Sequence, residues 1–177
     1  MAKDFDLDKY VRKIPDFPKK GVLFYDITSI LTQPEAFTYC INSMTEIYKS
    51  QNIDAVAAIE ARGFVFAAPF AYQMKIPLIL IRKKGKLPGK TLSKKYSLEY
   101  AEAEIEIHRD DIPKGGNVLL LDDLVATGGT LNAARELITA GGAQVKEVFG
   151  VVGLPFLDFE KTLAPTPVRT LINYHSE

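Results

Sequence analysis

Two adjacent carboxylates, Asp122 and Asp123, stand two residues ahead of a run of small and hydroxylated residues, Ala126-Thr127-Gly128-Gly129-Thr130. Ionised Asp accepts hydrogen bonds only, and the 2′ and 3′ hydroxyls of a ribose donate them. Glycines let a backbone approach a ligand without a Cβ in the way, and N–H groups opening a helix attract an anion. Thr127 and Thr130 add hydroxyl donors. Carboxylates for hydroxyls beside a loop for one phosphate describe a ribose 5-phosphate site. A nucleoside triphosphate loop (Gly-x-x-x-x-Gly-Lys-Ser/Thr) and a dinucleotide loop (Gly-x-Gly-x-x-Gly) are both absent from the chain. An isolated Asp-Asp would serve equally to end a strand, and Thr130 to cap a helix; the whole run favours chemistry.

The elements that must position these residues follow from periodicity. The apolar run 118–121 predicts a short strand buried on both faces, and 131–140 predicts a helix stopped by Gly141-Gly142. In an open α/β sheet, ligands bind beyond the carboxyl ends of the strands, which is where the acidic pair and the loop would lie. A second such unit comes earlier. Residues 55–59 read as a strand, Glu60-Ala61-Arg62-Gly63 as a sharp turn, and Phe64, Ala67, Ala68 and Ala71 as one face of a helix. Further strands are expected at 78–81, 96–100, 103–108, 145–152 and 168–172. The stretch 82–95 holds seven Lys or Arg in fourteen residues, with Gly85, Pro88 and Gly89 favouring mobility. It reads as a solvated loop or as a lid that brings positive charge to a polyanion and expels water.

The segment Asp122-Asp123-Leu124-Val125-Ala126-Thr127-Gly128-Gly129-Thr130 closely resembles the 5-phosphoribosyl 1-pyrophosphate motif of the type I phosphoribosyltransferases, in the form carried by members that act on adenine. Three other segments extend the resemblance: Asp16-Phe17-Pro18 with Gly21-Val22-Leu23-Phe24-Tyr25-Asp26-Ile27, then Glu60-Ala61-Arg62-Gly63-Phe64, then Tyr96-Ser97-Leu98-Glu99-Tyr100. The resemblance implies an α/β fold, a mostly parallel twisted sheet flanked by helices, with a small N-terminal hood over about residues 1–35 and a flexible lid at 82–95, all in one domain spanning 1–177. It implies transfer of the phosphoribosyl group to adenine, giving AMP and pyrophosphate. Asp122, Asp123, Ala126, Thr127, Gly128, Gly129 and Thr130 would hold the ribose 5-phosphate. Ala61, Arg62, Gly63, Arg82 and Lys86 would face pyrophosphate, and Leu23, Phe24, Tyr25, Leu154 and Leu157 the base. Glu99, Arg62 and Tyr100 are the implied catalytic residues.

The family implies Mg²⁺, bound mainly through substrate with no protein ligand assigned, and a homodimer. The sequence departs from the family at Tyr25, where Arg or Lys is usual, at Lys90, often Pro, and at Gly153 and Phe159-Glu160, where a Glu and a Gly-Arg pair are common. Tyr25 and Gly153 leave open a different purine, such as hypoxanthine, guanine or xanthine. A sensor that binds the sugar phosphate without turnover is the remaining alternative.

Lys plus Arg and Asp plus Glu each total 22 in 177 residues, so the overall charge suggests neither nucleic acid nor membrane as partner. Glu60 and Arg62 interrupt the most apolar section, leaving no run of the ~18 residues needed to span a bilayer. The charged amino end does not read as a secretory signal, and the single Cys40, on a helical apolar stripe, reads as a buried inert thiol. A soluble cytoplasmic enzyme is expected. Residues 4–14 suggest a short amphipathic helix, Thr32-Gln33-Pro34-Glu35 a capping box, and Glu102, Glu104 and Glu106 the wet face of a strand. His108 and His175 share no metal-ligand spacing.

Overall fold

In the computed structural model, which describes residues 5–97 and 102–176, β1 (Arg12–Pro15) and β2 (Leu23–Asp26) form an antiparallel hairpin. Two helices follow, α1 (Thr28–Leu31) and α2 (Pro34–Tyr48). The main sheet is built from β3 (Ala55–Ile59), β4 (Leu78–Lys83), β5 (Thr91–Ser97), β6 (Glu102–His108), β7 (Asn117–Val125), β8 (Gln144–Gly153) and β9 (Val168–Asn173). Helix α3 (Arg62–Met74) links β3 to β4, α4 (Gly129–Ala140) links β7 to β8, and α5 (Phe159–Leu163) precedes β9. Across the sheet the order is β5-β6-β4-β3-β7-β8-β9, parallel from β4 to β9 and antiparallel where β6 meets β4 and β5.

Strands enclosed on both faces must be apolar throughout, and β3 (Ala-Val-Ala-Ala-Ile) is buried at every position. Alternate residues serve opposite faces. Val56, Ala58, Leu119 and Leu121 pack with α2 and α3, whereas Ala55, Ala57, Val118 and Leu120 pack with α4 and α5. The stripe Ala36, Cys40, Ile41, Met44 and Tyr48 seats α2. Burial pushes the Cys40 thiol up to about 12, so it is inert.

The structure corrects several expectations. Residues 4–14 give a 3-10 turn over Leu7–Tyr10 and then β1, because alternating residues here pair with β2. No capping box forms: α2 begins at Pro34, and the Thr32 hydroxyl donates to the Ser29 carbonyl instead. Strand β7 runs on through the acidic pair to Val125, held by pairing with β8. The basic stretch is largely regular, with β4 reaching Lys83 and β5 starting at Thr91, so only 84–90 is irregular. Glu106 is 1% exposed, and its surroundings are described below.

The hood is tied down at its far end. Tyr25 stacks on Tyr174 with ring centroids 3.9 Å apart, and its hydroxyl donates to the Ser176 carbonyl. The Tyr174 hydroxyl donates in turn to Asp8. Tyr25 is 5% exposed, so Tyr25→Ala should cost about 3 kcal/mol while Tyr25→Phe costs little, read as the shift in urea midpoint. Equal midpoints for the two variants would show that the stacked ring does not fasten the hood.

Candidate active site

The phosphate loop sits where β7 ends and α4 begins. Gly128 takes φ +81° as the residue before α4, and a Cβ there would lie 3.2 Å from Leu163 Cγ, so both backbone and packing call for glycine. A hollow of about 90 Å³ is lined by Asp122, Leu124 and residues 126–131. The first turn of α4 points unpaired N–H groups into this region, as an anion requires. The Thr130 hydroxyl donates to the Tyr96 hydroxyl of β5 at 3.2 Å.

Next to this hollow is a cavity of about 230 Å³ whose lining includes Ala61, Arg62, Lys83, Tyr96, Asp122 and Asp123. Arg62 Nε lies 2.6 Å from Asp123 Oδ2, but the N–H is not aimed along the contact. That buried oxygen therefore has an ionic neighbour and no hydrogen-bond donor, which is a vacancy a sugar hydroxyl can fill. The Asp123 amide donates to Asp122 Oδ1 at 2.9 Å. Burial, and then the negative charge of Asp123, pushes the Asp122 carboxyl well above its ordinary range. A Cβ on Gly63 would come 3.1 Å from Asp122 Oδ1, so α3 starts against the carboxylates only because that position is glycine.

On the other side of Arg62, the Glu60–Ala61 peptide is cis. Glu60 accepts from Arg82 Nε at 2.7 Å and from the Lys83 amide at 3.0 Å. Against the burial that would raise it, these donors hold the Glu60 carboxyl below its ordinary range. Arg82 also donates to the Lys86 carbonyl, so its guanidinium braces the 84–90 turn as well as facing the β3–α3 turn. Lys86 is exposed. Glu99 and Tyr100 lie outside the described residues.

Asp26 of the hood pairs with Arg12, whose guanidinium lies 3.1 Å from Asp26 Oδ2. Asp26 is held below the usual carboxylate range by the Thr28 hydroxyl, with Arg12 and Arg62 adding to the effect. Phe24 meets Phe17 edge to face at 5.1 Å and is half-buried, whereas Leu23 and Leu157 pack against the core in which Leu154 is buried. The Tyr25 side chain is directed to Tyr174 and so does not face a base. At Gly153 any Cβ would collide with Asn173 Oδ1 and lie 2.8 Å from Thr170 Cγ2. The space a Glu would need there is taken by this hydrogen-bonded Thr170–Asn173 pair.

The model of the phosphoribosyl transferase domain family matches residues 26–152. An adenine phosphoribosyltransferase from Treponema denticola is 65% identical over 177 residues, covering 100% of this chain and 93% of that protein. The chain belongs to the adenine phosphoribosyltransferases. Among solved structures, the adenine phosphoribosyltransferase of Thermoanaerobacter pseudethanolicus superposes with a TM-score of 0.90 at 42% identity, covering 95% of this chain and 98% of that one. The Saccharomyces cerevisiae enzyme, solved with adenine and an imino-altritol bisphosphate, gives 0.87 at 35% identity, with 93% and 96% covered.

As an adenine phosphoribosyltransferase, the protein is a purine salvage enzyme that joins adenine to 5-phosphoribosyl 1-pyrophosphate. Sequence reasoning missed Tyr96, Glu60 and Lys83 as residues of this phosphoribosyltransferase's cavity. Tyr96 could have been found by carrying strand alternation back through β5; Glu60 was legible only as part of a turn.

The Asp122 shift has a measurable sign. The folded enzyme keeps a proton that the unfolded chain, near 3.8, has lost, so stability falls as pH rises from there through the elevated folded value. Asp122→Asn retains the acceptor for the Asp123 amide and removes the buried like charge. It should raise Tm at neutral pH while reducing phosphoribosyl transfer about tenfold or more, as expected for losing charge-assisted bonds. A lower Tm in the Asn variant would mean that the pair is not a burden on the fold.

Proposed function

We propose the following division of labour for phosphoribosyl transfer to adenine. Asp122 and Asp123 accept the two ribose hydroxyls, and Ala126, Thr127, Gly128, Gly129 and Thr130 hold the 5-phosphate. The single observation that carries this reading is the buried Asp123 Oδ2 without a donor, beside a helix N-terminus reached through Gly128. Ala61, Arg62 and Gly63 receive pyrophosphate on the opposite side, with Arg82 and Lys86 of the lid closing over it. Adenine enters between Phe24 and the wall at Leu154 and Leu157, read by the main chain of Leu23 and Tyr25.

The reaction breaks the C1′–O bond to pyrophosphate and forms the C1′–N bond to the base, which loses a ring proton. Positive charge develops on the sugar ring, so orientation and exclusion of water matter more than a strong nucleophile. We assign the proton to Glu99 and closure over the site to Tyr100, from their motif. The family's Mg²⁺ would keep mainly substrate oxygens and waters as its ligands, with no protein ligand assigned. Mg²⁺ bound in this way would neutralise charge on the departing pyrophosphate.

The chain works as one domain of 1–177 and as a homodimer in the cytoplasm. On α3, Val65 and Tyr72 are 40% and 85% exposed, and Leu80 of β4, on the same side of the sheet, is 36% exposed. This apolar surface suits a second copy, and Ala68 and Pro69 continue it along the helix. A reducing compartment fits the one buried cysteine. Among the described residues no helix is long and apolar enough to cross a membrane.

Phe24→Ala should raise KM for adenine by about tenfold, the scale of one base–aromatic stack, with KM for phosphoribosyl pyrophosphate unchanged. A change in the second constant alone would move the base elsewhere. Tyr72→Glu should give a monomer in sedimentation; an unaltered dimer would place the interface on another face.

A further inference from the structure

Strand alternation places Glu106 on the same face of β6 as Glu102, which is exposed as a wet face requires. Glu106 is 1% exposed, and β6 lies between β4 and β5, with Glu106 opposite Arg82 on one side and Ser93 on the other. Its carboxylate accepts from the Lys86 amide at 2.9 Å, the Leu87 amide at 2.9 Å and the Thr91 hydroxyl at 3.2 Å. Lys84 Nζ lies 3.2 Å away as its ion partner. Lys84, Lys86 and Leu87 belong to the turn joining β4 to β5, and Thr91 is the first residue of β5 after it. The carboxylate is the nucleus around which the turn is wound.

We infer that Glu106 is a positioning residue for phosphoribosyl transfer, fixing the backbone from which Lys86 reaches pyrophosphate. This rests on the proposed reading of the β4–β5 turn as the pyrophosphate lid. Lys86 is held at both ends of its residue: its amide donates to Glu106, and its carbonyl accepts from Arg82, which is itself paired with Glu60 beside the Ala61-Arg62 turn. Two carboxylates, Glu60 and Glu106, thus set the lid's stem relative to the β3–α3 turn, while the Lys86 side chain stays exposed. The neighbours Ile105 and Ile107 are buried and apolar. A third apolar residue at 106 would bury as readily but would leave the Lys86 and Leu87 amides without an acceptor. Despite its burial, the donors bring the Glu106 carboxyl down to about 2, so the anchor stays ionised through neutral pH. Holding a lysine-bearing turn in advance lowers the ordering cost of binding the polyanion, which is the gain such an anchor provides.

The test uses the full chain with Glu106→Gln, Lys86→Ala and the double variant, measuring KM for each substrate, thermal unfolding, and trypsin cleavage within 84–90. Gln keeps one acceptor and the side chain's shape, so the fold should survive. We expect Glu106→Gln to raise KM for phosphoribosyl pyrophosphate about tenfold, the scale of one charge-assisted hydrogen bond, with KM for adenine within about twofold. Trypsin should cut the turn faster. The double variant should be no worse than the more impaired single one, because both remove the same contact. A lowered Tm with an unchanged KM for phosphoribosyl pyrophosphate would make Glu106 purely structural and overturn the inference. Additive effects in the double variant would overturn the route through Lys86. If Lys86→Ala alone left that KM unchanged, the reading of the turn as a pyrophosphate lid would itself fall.

Discussion

A pair of adjacent carboxylates on a central strand governs the architecture around it. Buried like charges repel and resist desolvation, so the fold must supply compensation close at hand. Arg62 stands 2.6 Å from Asp123, at the first residue of α3, and Gly63 lets that helix begin directly against Asp122. Even so, Asp122 is pushed towards its protonated form and Asp123 Oδ2 has no donor. The site carries an unmet demand for hydroxyl donors and positive charge. The hydroxyls of a ribose are donors of the kind that could meet that demand.

Around this pair, three connections converge on one end of the sheet. The β7–α4 loop offers backbone N–H groups, the β3–α3 turn offers Arg62, and the β4–β5 turn offers lysines. All three follow strands that run parallel, which is why they share an edge. The hood is different, since it is local in sequence and must be docked by remote contacts. Tyr25 against Tyr174 and Tyr174 to Asp8 make the end of the described chain part of the clamp. The family's usual Arg or Lys at position 25 would have no place in that stacked pair. Gly153 belongs to the same adjustment, because Asn173 and Thr170 of β9 occupy the room that a side chain there would need.

Residues whose place in the fold follows from their own type and immediate neighbours were legible in the sequence. The acidic pair, the Thr-Gly-Gly-Thr loop, the Arg-Gly turn and the apolar runs of β3, β4 and β8 declare themselves through spacing and chemistry. Glu106 did not, because in Glu-x-Glu-x-Glu it has the pattern of a solvated face; only the antiparallel neighbours β4 and β5 bring four donors to it. The capping box failed for a similar reason. Thr32 had a competing acceptor at Ser29, and tertiary contact of α1 with the hood set where α2 begins.

The sequence by itself determined the class of ligand, the parallel α/β core and the order in which the binding loops occur, since these depend on local periodicity and on donor and acceptor types within a few residues. Tertiary structure decided what each charge and aromatic ring faces. Arg82 meets Glu60 across 22 positions, Tyr25 meets the Ser176 carbonyl across 151, and Glu106 meets Lys86 across 20. Such pairings depend on which strands become neighbours, and sheet order is settled by the packing of the whole core, so no local pattern encodes them.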